Sequence, residues 1–295
     1  MMNTAHFSGI LAYVIWGLSP IYWKFFGGDS AVYLFYHRVV WSIVFLFLFM
    51  LVKQKNGIFL DAIKRPKVFF LLMLSGLFIS TNWLLYVYAV SSARVMEASL
   101  GYFLNPLVSI LIGKIFFKEY LSKLHYLSIS LAVLALVYLM VNSSLSTFPF
   151  LGLALCFTFA FYGVLKKVIS IGSIDALTIE CLVLGPIIIF SIHQLMPDQI
   201  FWPDFFSLKT FKLSFSGWLT ILPLIFFTYA AKRLSLVTMG FMQYFSPSLK
   251  FICGAFVFHE VVSPQNWVAF SLIWLALIVF SFENYQIAIK KKISG

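Results

Sequence analysis

Charged residues are scarce in this sequence, and acidic residues are the scarcest. Only 11% of the 295 residues are charged, and ten Asp or Glu stand against 21 Lys or Arg. A soluble domain usually has about 25% charged residues. The chain therefore lacks the side chains that would cover a water-exposed surface, while 62% of it is hydrophobic. This composition excludes an ordinary soluble domain and indicates lipid as the solvent.

The motifs of the common enzyme classes are also missing. The sequence has no glycine-rich phosphate loop, no G-x-S-x-G and no paired-aspartate motif, and His259-Glu260 does not continue into H-E-x-x-H. The three cysteines, Cys156, Cys181 and Cys253, lie inside apolar runs without the spacing of metal ligands. We therefore expect no enzyme, no metal site and no cofactor.

Ten long apolar runs occupy most of the chain. A spanning helix needs about 20 residues, and continuous runs without alternation favour helices over the strands of a barrel. The runs are 6–26, 31–52, 68–90, 96–116, 122–141, 148–168, 176–195, 214–232, 236–258 and 264–285. The sequence thus predicts an all-α polytopic membrane protein of ten transmembrane helices, in contact with the lipid bilayer and without room for a separate soluble domain.

The basic residues predict the orientation. With a cytoplasmic N-terminus, 14 Lys or Arg fall on the cytoplasmic side and five on the outer side, and Lys114 and Lys250 stay unassigned inside apolar runs. The cytoplasmic set includes Lys166, Lys167 and Lys232. Because short cytoplasmic loops concentrate Lys and Arg, both termini are predicted to be cytoplasmic. The same distribution explains the net charge of +11, so no nucleic acid is expected as a partner.

Two stretches of the chain align when it is shifted by 141 residues. Nine identities fall within residues 75–122, among them Pro106 with Pro247 and Glu119 with Glu260. Each half holds five runs, and because five is odd the second half enters the membrane from the opposite side. Such inverted repeats are an architecture of secondary transporters. We predict two repeats, residues 1–145 and 146–295.

Ionisable residues inside the runs are candidates for function, because charge at that depth usually faces a cavity or a partner. Arg38 lies about eight residues into the second run beside His37, and Glu97 opens the fourth run from the same side. We expect Arg38 to bind an anionic or zwitterionic substrate and to pair with Glu97, with a structural ion pair or snorkelling as the alternative. Glu97 and Glu180 are the candidate proton carriers. The role of Lys250 stays open between an altered pKa and snorkelling.

Aromatic and amide side chains at mid-membrane depth complete the predicted substrate site, since ligand pockets combine apolar walls with a few polar groups. Hydrogen bonding between helices is the alternative interpretation. Pro106 and Pro247 are candidates for gating or helix kinks, because proline frees a helix carbonyl, although membrane helices also tolerate proline. Besides His37, Arg38 and Glu97, the predicted substrate-binding residues are Trp16, Asn82, Trp83, Tyr102, Asn105, Gln243 and Tyr244.

Several motifs resemble one known family. The longest are Tyr13–Pro20 (YVIWGLSP), His37–Ser42 (HRVVWS), Asn82–Tyr86 (NWLLY) and Glu97–Leu107 (EASLGYFLNPL). They resemble the RarD branch of the EamA-type transporters, in the drug/metabolite transporter superfamily, over about residues 8–285. The resemblance implies a ten-helix carrier of two inverted halves in the bacterial cytoplasmic membrane, which moves small metabolites or drugs. The family pattern usually has an apolar residue where this chain has Lys250.

Together these features predict a secondary-active transporter of small organic metabolites or drugs that works by alternating access. Polar groups deep in four runs favour this function over a membrane scaffold or sensor that binds a partner protein. An intramembrane enzyme acting on lipid would need an acidic cluster, which the sequence lacks. A channel fits inverted halves with broken helices less well than a carrier does.

Overall fold

The computed structural model describes residues 4–53, 58–91, 95–142, 150–196, 207–259 and 262–293. These residues form helices, with no strand among them. The α-helices are α1 (Thr4–Trp23), α2 (Ala31–Val52), α3 (Ile58–Ile63), α4 (Pro66–Ser91), α5 (Val95–Phe116), α6 (Lys123–Val141), α7 (Phe150–Val168), α8 (Ser173–Leu195), α9 (Leu208–Ala231), α10 (Leu236–Gln243), α11 (Phe245–Ile252) and α12 (Pro264–Ile293). A π-helical turn, Cys253–Val257, follows α11.

Serine side chains define where several of these helices begin. A serine before the first helical residue can accept a hydrogen bond from a backbone N–H that the helix itself leaves without a partner. Four helices, α2, α6, α9 and α10, start in this way, with Ser30, Ser122, Ser207 and Ser235 as the caps. The caps thus place four helix starts at polar residues that precede apolar segments.

The predicted membrane class is confirmed by the helices. Eight helices of the described residues are long and apolar enough to cross a membrane, and Gly101–Phe116 within α5 forms a shorter apolar helix. The ninth predicted run is broken into α10, α11 and the π-helical turn. The chain is therefore an all-α polytopic membrane protein, while the count of ten spans remains a prediction. Thr4, which begins α1, contacts Tyr229 near the end of α9, and His125 near the start of α6 packs on Phe280 in the second half of α12. We name the end of the bundle where α1 begins the terminal end, and the opposite end the far end.

Helices of the two predicted repeats pack against each other throughout the bundle. The main pairs are α1 with α9 and α11, α2 with α8 and α9, α4 with α7, α5 with α7 and α10, and α6 with α12. Shifting one half onto the other exchanges the α1–α9 pair with the α7–α4 pair. The interior is therefore built at the junction of the two predicted halves.

Local geometry follows the 141-residue shift. Lys118 and His259, which the shift aligns, have positive φ angles of 51° and 55°. Just before them, the aligned Phe117 and Phe258 each lie under a lysine ammonium, at 5.5 and 4.6 Å from the ring centre. A non-glycine residue at positive φ is uncommon, so the two aligned positions share an unusual backbone conformation. The repeat boundaries at residue 145 stay a prediction.

The two aligned prolines lie in different surroundings. Pro106 is inside α5, which continues through it, and an added Cβ on Gly240 would meet the Pro106 carbonyl oxygen at 2.7 Å. Pro247 lies in α11, one turn after the break at Tyr244 that separates α10 from α11. Proline lacks the N–H that would bond four residues back, which explains a break near Gln243. Only the second proline thus accompanies an interrupted helix, and gating by either remains a prediction.

Candidate functional site

Arg38 occupies the inside of the bundle at the junction of the two halves. It is the eighth residue of α2, about 10 Å from the helix start at 1.5 Å per residue. Its Nε donates to Thr220 Oγ1 of α9 at 3.1 Å. Its guanidinium carbon lies 5.3 Å from the ring centre of Trp83 and 5.6 Å from that of Trp23. Stacking of this kind suits a guanidinium, which is planar and less strongly hydrated than an ammonium.

Lys250 of α11 brings a second cation to the same place. Its Nζ lies 4.9 Å from the ring centre of Tyr102, whose ring is in turn 5.9 Å from that of Tyr86. Arg38 is within electrostatic range of both tyrosines and of Lys250. Among the described side chains no carboxylate forms an ion pair with either cation. The two positive charges therefore face one aromatic-lined space without a described counter-charge.

Three of these residues lie at the same depth. Tyr102 is the eighth residue of α5, as Arg38 is of α2, and Lys250 lies seven residues before the end of the π-helical turn at Val257. The start of α2, the start of α5 and the end of the π-helical turn lie at the far end of the bundle. Each of the three side chains keeps part of its surface accessible although it lies about 10 Å below that end. We call Arg38, Lys250 and the aromatic rings around them the two-cation site.

Two residues of the predicted site have structural partners nearby. His37 is fully buried, and its ring packs against Tyr33 and Tyr36 at 4.6 and 5.7 Å between ring centres. Asn82 donates to the Leu155 carbonyl of α7 at 2.7 Å and to Thr158 Oγ1 at 2.9 Å. Asn82 therefore joins α4 to α7 through hydrogen bonds between helices. The side chain of Glu97 lies outside the part of the chain that the structure describes.

The remaining predicted residues lie deeper in the bundle than the two-cation site. Trp16 belongs to an aromatic cluster with Tyr13, Phe159 and Phe227. Gln243 Nε2 donates to Ser109 Oγ at 3.1 Å, and Tyr244 donates to the Phe103 carbonyl at 3.4 Å. The buried Asn105 Oδ1 has no hydrogen-bond partner among the described residues. Of the predicted substrate-binding set, the structure thus brings together Arg38, Trp83 and Tyr102.

Glu180 forms a buried ion pair. Its Oε1 lies 2.5 Å from Lys166 Nζ and also accepts a hydrogen bond from Ser75, and the side chains of Lys166 and Glu180 are 0% and 3% exposed. The charge distribution counts Lys166 with the loop cations, but the structure buries it in α7 because Glu180 and the ring of Tyr162 receive its ammonium. A cavity of about 30 Å³ next to Glu180 is also lined by Trp83, and this volume can hold a water molecule.

Glu119 ties the two halves together at the terminal end. Its Oε1 and Oε2 accept hydrogen bonds from the backbone N–H groups of Leu236 and Val237, both at 2.8 Å. These are the first two residues of α10, so the carboxylate meets the positive end of the helix dipole. Lys167 of α7 lies 3.6 Å from the same carboxylate. We call this arrangement the Glu119 clamp.

Lys232, just after α9, adds to the positive charge at this end. It donates to the Ile171 carbonyl. Burial, together with the neighbouring Lys166 ammonium, lowers the pKa of Lys232 to about 8. A fraction of Lys232 is therefore neutral near physiological pH, unlike an ordinary lysine.

Sequence reasoning missed part of the two-cation site. Trp23 and Thr220 are outside the predicted substrate-binding set. Tyr86 is also outside it, although it belongs to the Asn82–Tyr86 motif. Trp23 ends α1 and Thr220 lies mid-way along α9, so neither carries a pattern that separates it from ordinary apolar packing. Lys250 did carry a signal, since a lysine inside an apolar run is rare.

The fold and the site define a class of protein, a helical membrane protein with two cations packed against aromatic rings between its helices. Comparison with known proteins gives the family. The model of the EamA-like transporter family matches residues 3–141. A protein named RarD in Salmonella typhimurium is 37% identical over 96% of this chain and 96% of its own length. An uncharacterized transporter, YojE of Bacillus subtilis, is 37% identical over 94% and 93%.

A solved crystal structure has the same fold. It superimposes with a TM-score of 0.72 at 17% identity and covers 95% of this chain and 98% of its own. The chain belongs to the EamA-like transporter family and is a RarD-type permease within it. It is therefore a membrane transporter, and its bacterial relatives support the inner membrane as its location.

Proposed function

We propose that the chain is a secondary-active carrier that moves small organic anions across the bacterial inner membrane by alternating access. The observation that carries this proposal is Arg38, held between Trp23 and Trp83 and fixed by Thr220 of the other half. A guanidinium at this depth is costly unless it serves a ligand or a pathway. Its planar fork of donors fits a carboxylate or phosphate, and the surrounding rings suit a compact organic body.

Ionic links at both ends of the bundle support alternating access. At the terminal end, Glu119 of the first half binds the start of α10 in the second half. At the far end, Asp29 of the first half pairs with Lys209 of the second at 2.6 Å. Each link joins the halves, so in this proposal the two-cation site opens to one side only when the link at that end breaks. With both termini in the cytoplasm, as the basic residues predict, the Glu119 clamp closes the cytoplasmic side.

Glu180 is the candidate for coupling transport to protons. Its second carboxylate oxygen is buried without a hydrogen-bond partner among the described residues. The cavity beside it reaches Trp83, which also contacts Arg38. A rearrangement that separates Glu180 from Lys166 would leave the carboxylate buried without its ion-pair partner. Substrate movement at Arg38 and proton uptake at Glu180 would then be linked through the packing of α4 and α8.

Uptake of radiolabelled benzoate into proteoliposomes tests the proposal. We expect wild-type protein to accumulate benzoate faster than protein-free liposomes when a proton gradient is applied. Arg38→Gln should reduce the initial rate by at least about tenfold, because a charged hydrogen bond is lost at the binding group. Glu180→Gln should abolish the response to the gradient but keep exchange of benzoate across the membrane.

The matched control is Lys114→Met, which removes a cation from an exposed position on α5. It should transport like wild type. Arg38→Gln protein that transports at the control rate contradicts the role of Arg38. A Glu180→Gln variant that still follows the proton gradient leaves the carrier standing and removes Glu180 as the coupling group.

A further inference from the structure

The two-cation site is built for more negative charge than a single carboxylate provides. Arg38 and Lys250 come from opposite halves and lie at similar depths. Lys250 Nζ is 4.9 Å from the ring centre of Tyr102, and Arg38 is within electrostatic range of the same residue. Two cations close together repel each other, and the repulsion is stronger in a low-dielectric interior than in water. A ligand that brings one negative charge leaves the second cation without a described counter-charge. A ligand that brings two neutralises both.

The hydrogen-bond donors at the site also fit a ligand with two negative charges. The Nε of Arg38 is used by Thr220, and no described residue accepts a hydrogen bond from its two terminal nitrogens. Lys250 Nζ lies over the ring of Tyr102 and has no hydrogen-bond acceptor among the described residues. Two terminal guanidinium nitrogens and an ammonium therefore remain to bind oxygen atoms of a ligand.

The aromatic walls set the shape of the ligand. Trp83 and Trp23 lie against the guanidinium. The Tyr102 ring lies against Lys250 and contacts the ring of Tyr86, which is within electrostatic range of Arg38. Aromatic rings favour a flat or apolar body through offset or edge-to-face contacts. An ammonium group on the ligand would meet two cations and no described carboxylate, so the site disfavours zwitterions and cations.

We propose that the transported substrate is a small organic dianion with a flat body, bound by Arg38 and Lys250 together. This inference rests on the proposed carrier function and narrows its substrate class. Arg38 supplies the bidentate contact to one carboxylate or phosphate group, and Lys250 binds the second negative charge. Because the two cations belong to different halves, the dianion also bridges the halves, so binding is coupled to their relative position.

Binding of a matched set of ring compounds to the purified protein in detergent tests the proposal. The set is phthalate and phenylphosphate as dianions, benzoate as a monoanion, phenylalanine as a zwitterion and benzylamine as a cation, measured by calorimetry near pH 8. We expect at least one dianion to bind at least about tenfold more tightly than benzoate. Phenylalanine and benzylamine should bind more weakly than benzoate.

The variant Lys250→Met tests the contribution of the second cation independently of Arg38. Methionine keeps the unbranched chain as far as Cε and removes the ammonium. The variant should reduce the preference for the dianion over benzoate to within about twofold, while benzoate binding persists. Arg38→Gln should weaken both ligands, and the control Lys114→Met should change neither. These comparisons use ratios within one protein, so a general loss of folding cannot produce the expected pattern.

Three results would overturn the inference. They are equal binding of dianions and benzoate by wild type, an unchanged preference in Lys250→Met, and no binding by either dianion. In the first two cases, benzoate binding that depends on Arg38 would leave the anion carrier intact and reject only the dianion. Benzoate binding that is equal in wild type and Arg38→Gln would instead reject the anion-binding role on which the carrier proposal depends.

Discussion

Replacing Glu119 with glutamine should release the start of α10 from the first half of the protein. In the structure the carboxylate accepts two backbone hydrogen bonds of 2.8 Å, from Leu236 and Val237, and lies 3.6 Å from Lys167. Glutamine keeps one acceptor oxygen but offers an N–H₂ group where the second oxygen stood. One of the two backbone N–H groups then loses its partner, and the remaining bond loses its charge.

The size of the effect follows from these contacts. A hydrogen bond to a charged group contributes about 1.5–3 kcal/mol, so the closed clamp should weaken by about that amount. Since 1.4 kcal/mol corresponds to a factor of ten, the ratio of open to closed clamp should rise by roughly 10- to 100-fold. The side chain is only 13% exposed, so water screens these interactions less than it would at an open surface.

Hydrogen exchange with mass spectrometry measures this opening directly. The peptide that covers residues 232–243 should exchange faster in Glu119→Gln by roughly 10- to 100-fold, since exchange there requires local opening. Asp61→Asn is the control, because it removes an exposed carboxylate from α3 at the same end of the bundle. If the peptide exchanges in Glu119→Gln as it does in the control, the clamp does not hold α10 and the reasoning is wrong.

Three further results follow from other contacts. Glu180→Gln leaves Lys166 buried without its counter-charge, which should cost about 3–5 kcal/mol and lower the thermal unfolding midpoint. Gly217→Val should also lower the midpoint, by about 1–3 kcal/mol of stability, because a Cβ there would lie 2.8 Å from the backbone carbon of Trp41. The pKa of Lys232 is lowered to about 8 in the folded protein, so above that pH the unfolded chain binds more protons than the folded one. The stability of wild type should therefore rise relative to Lys232→Met between pH 8 and 10.

Each of these results has its own control. Adding Lys166→Met to Glu180→Gln should recover most of the lost stability, and failure to recover it would show that the pair is not the cause. Gly28→Ala, where an added Cβ meets no atom within 4 Å, should leave the midpoint unchanged. A difference between wild type and Lys232→Met that stays constant from pH 7 to 10 would contradict the lowered pKa of Lys232.

The candidate functional positions could be predicted from sequence only where their chemistry conflicts with a lipid environment. Arg38 and Lys250 stand out because a charged residue inside an apolar run is costly. Trp16, Gln243 and Tyr244 share the composition of a binding pocket, but the structure places them among helix contacts. Polar and aromatic residues serve packing between membrane helices as readily as they serve ligands, so their type alone does not separate the two uses.

The sequence by itself determined the class of protein and the frame of the fold. Scarce charge, long apolar runs and the 141-residue shift depend on composition and local periodicity, which no tertiary contact alters. Only the tertiary structure decided which charges meet: Lys166 turns inward to Glu180, Glu119 reaches the start of α10, and Lys250 joins Arg38 across the halves. These pairings join residues 14 to more than 200 positions apart. They depend on how the helices pack and rotate, which hydropathy along a single run does not specify.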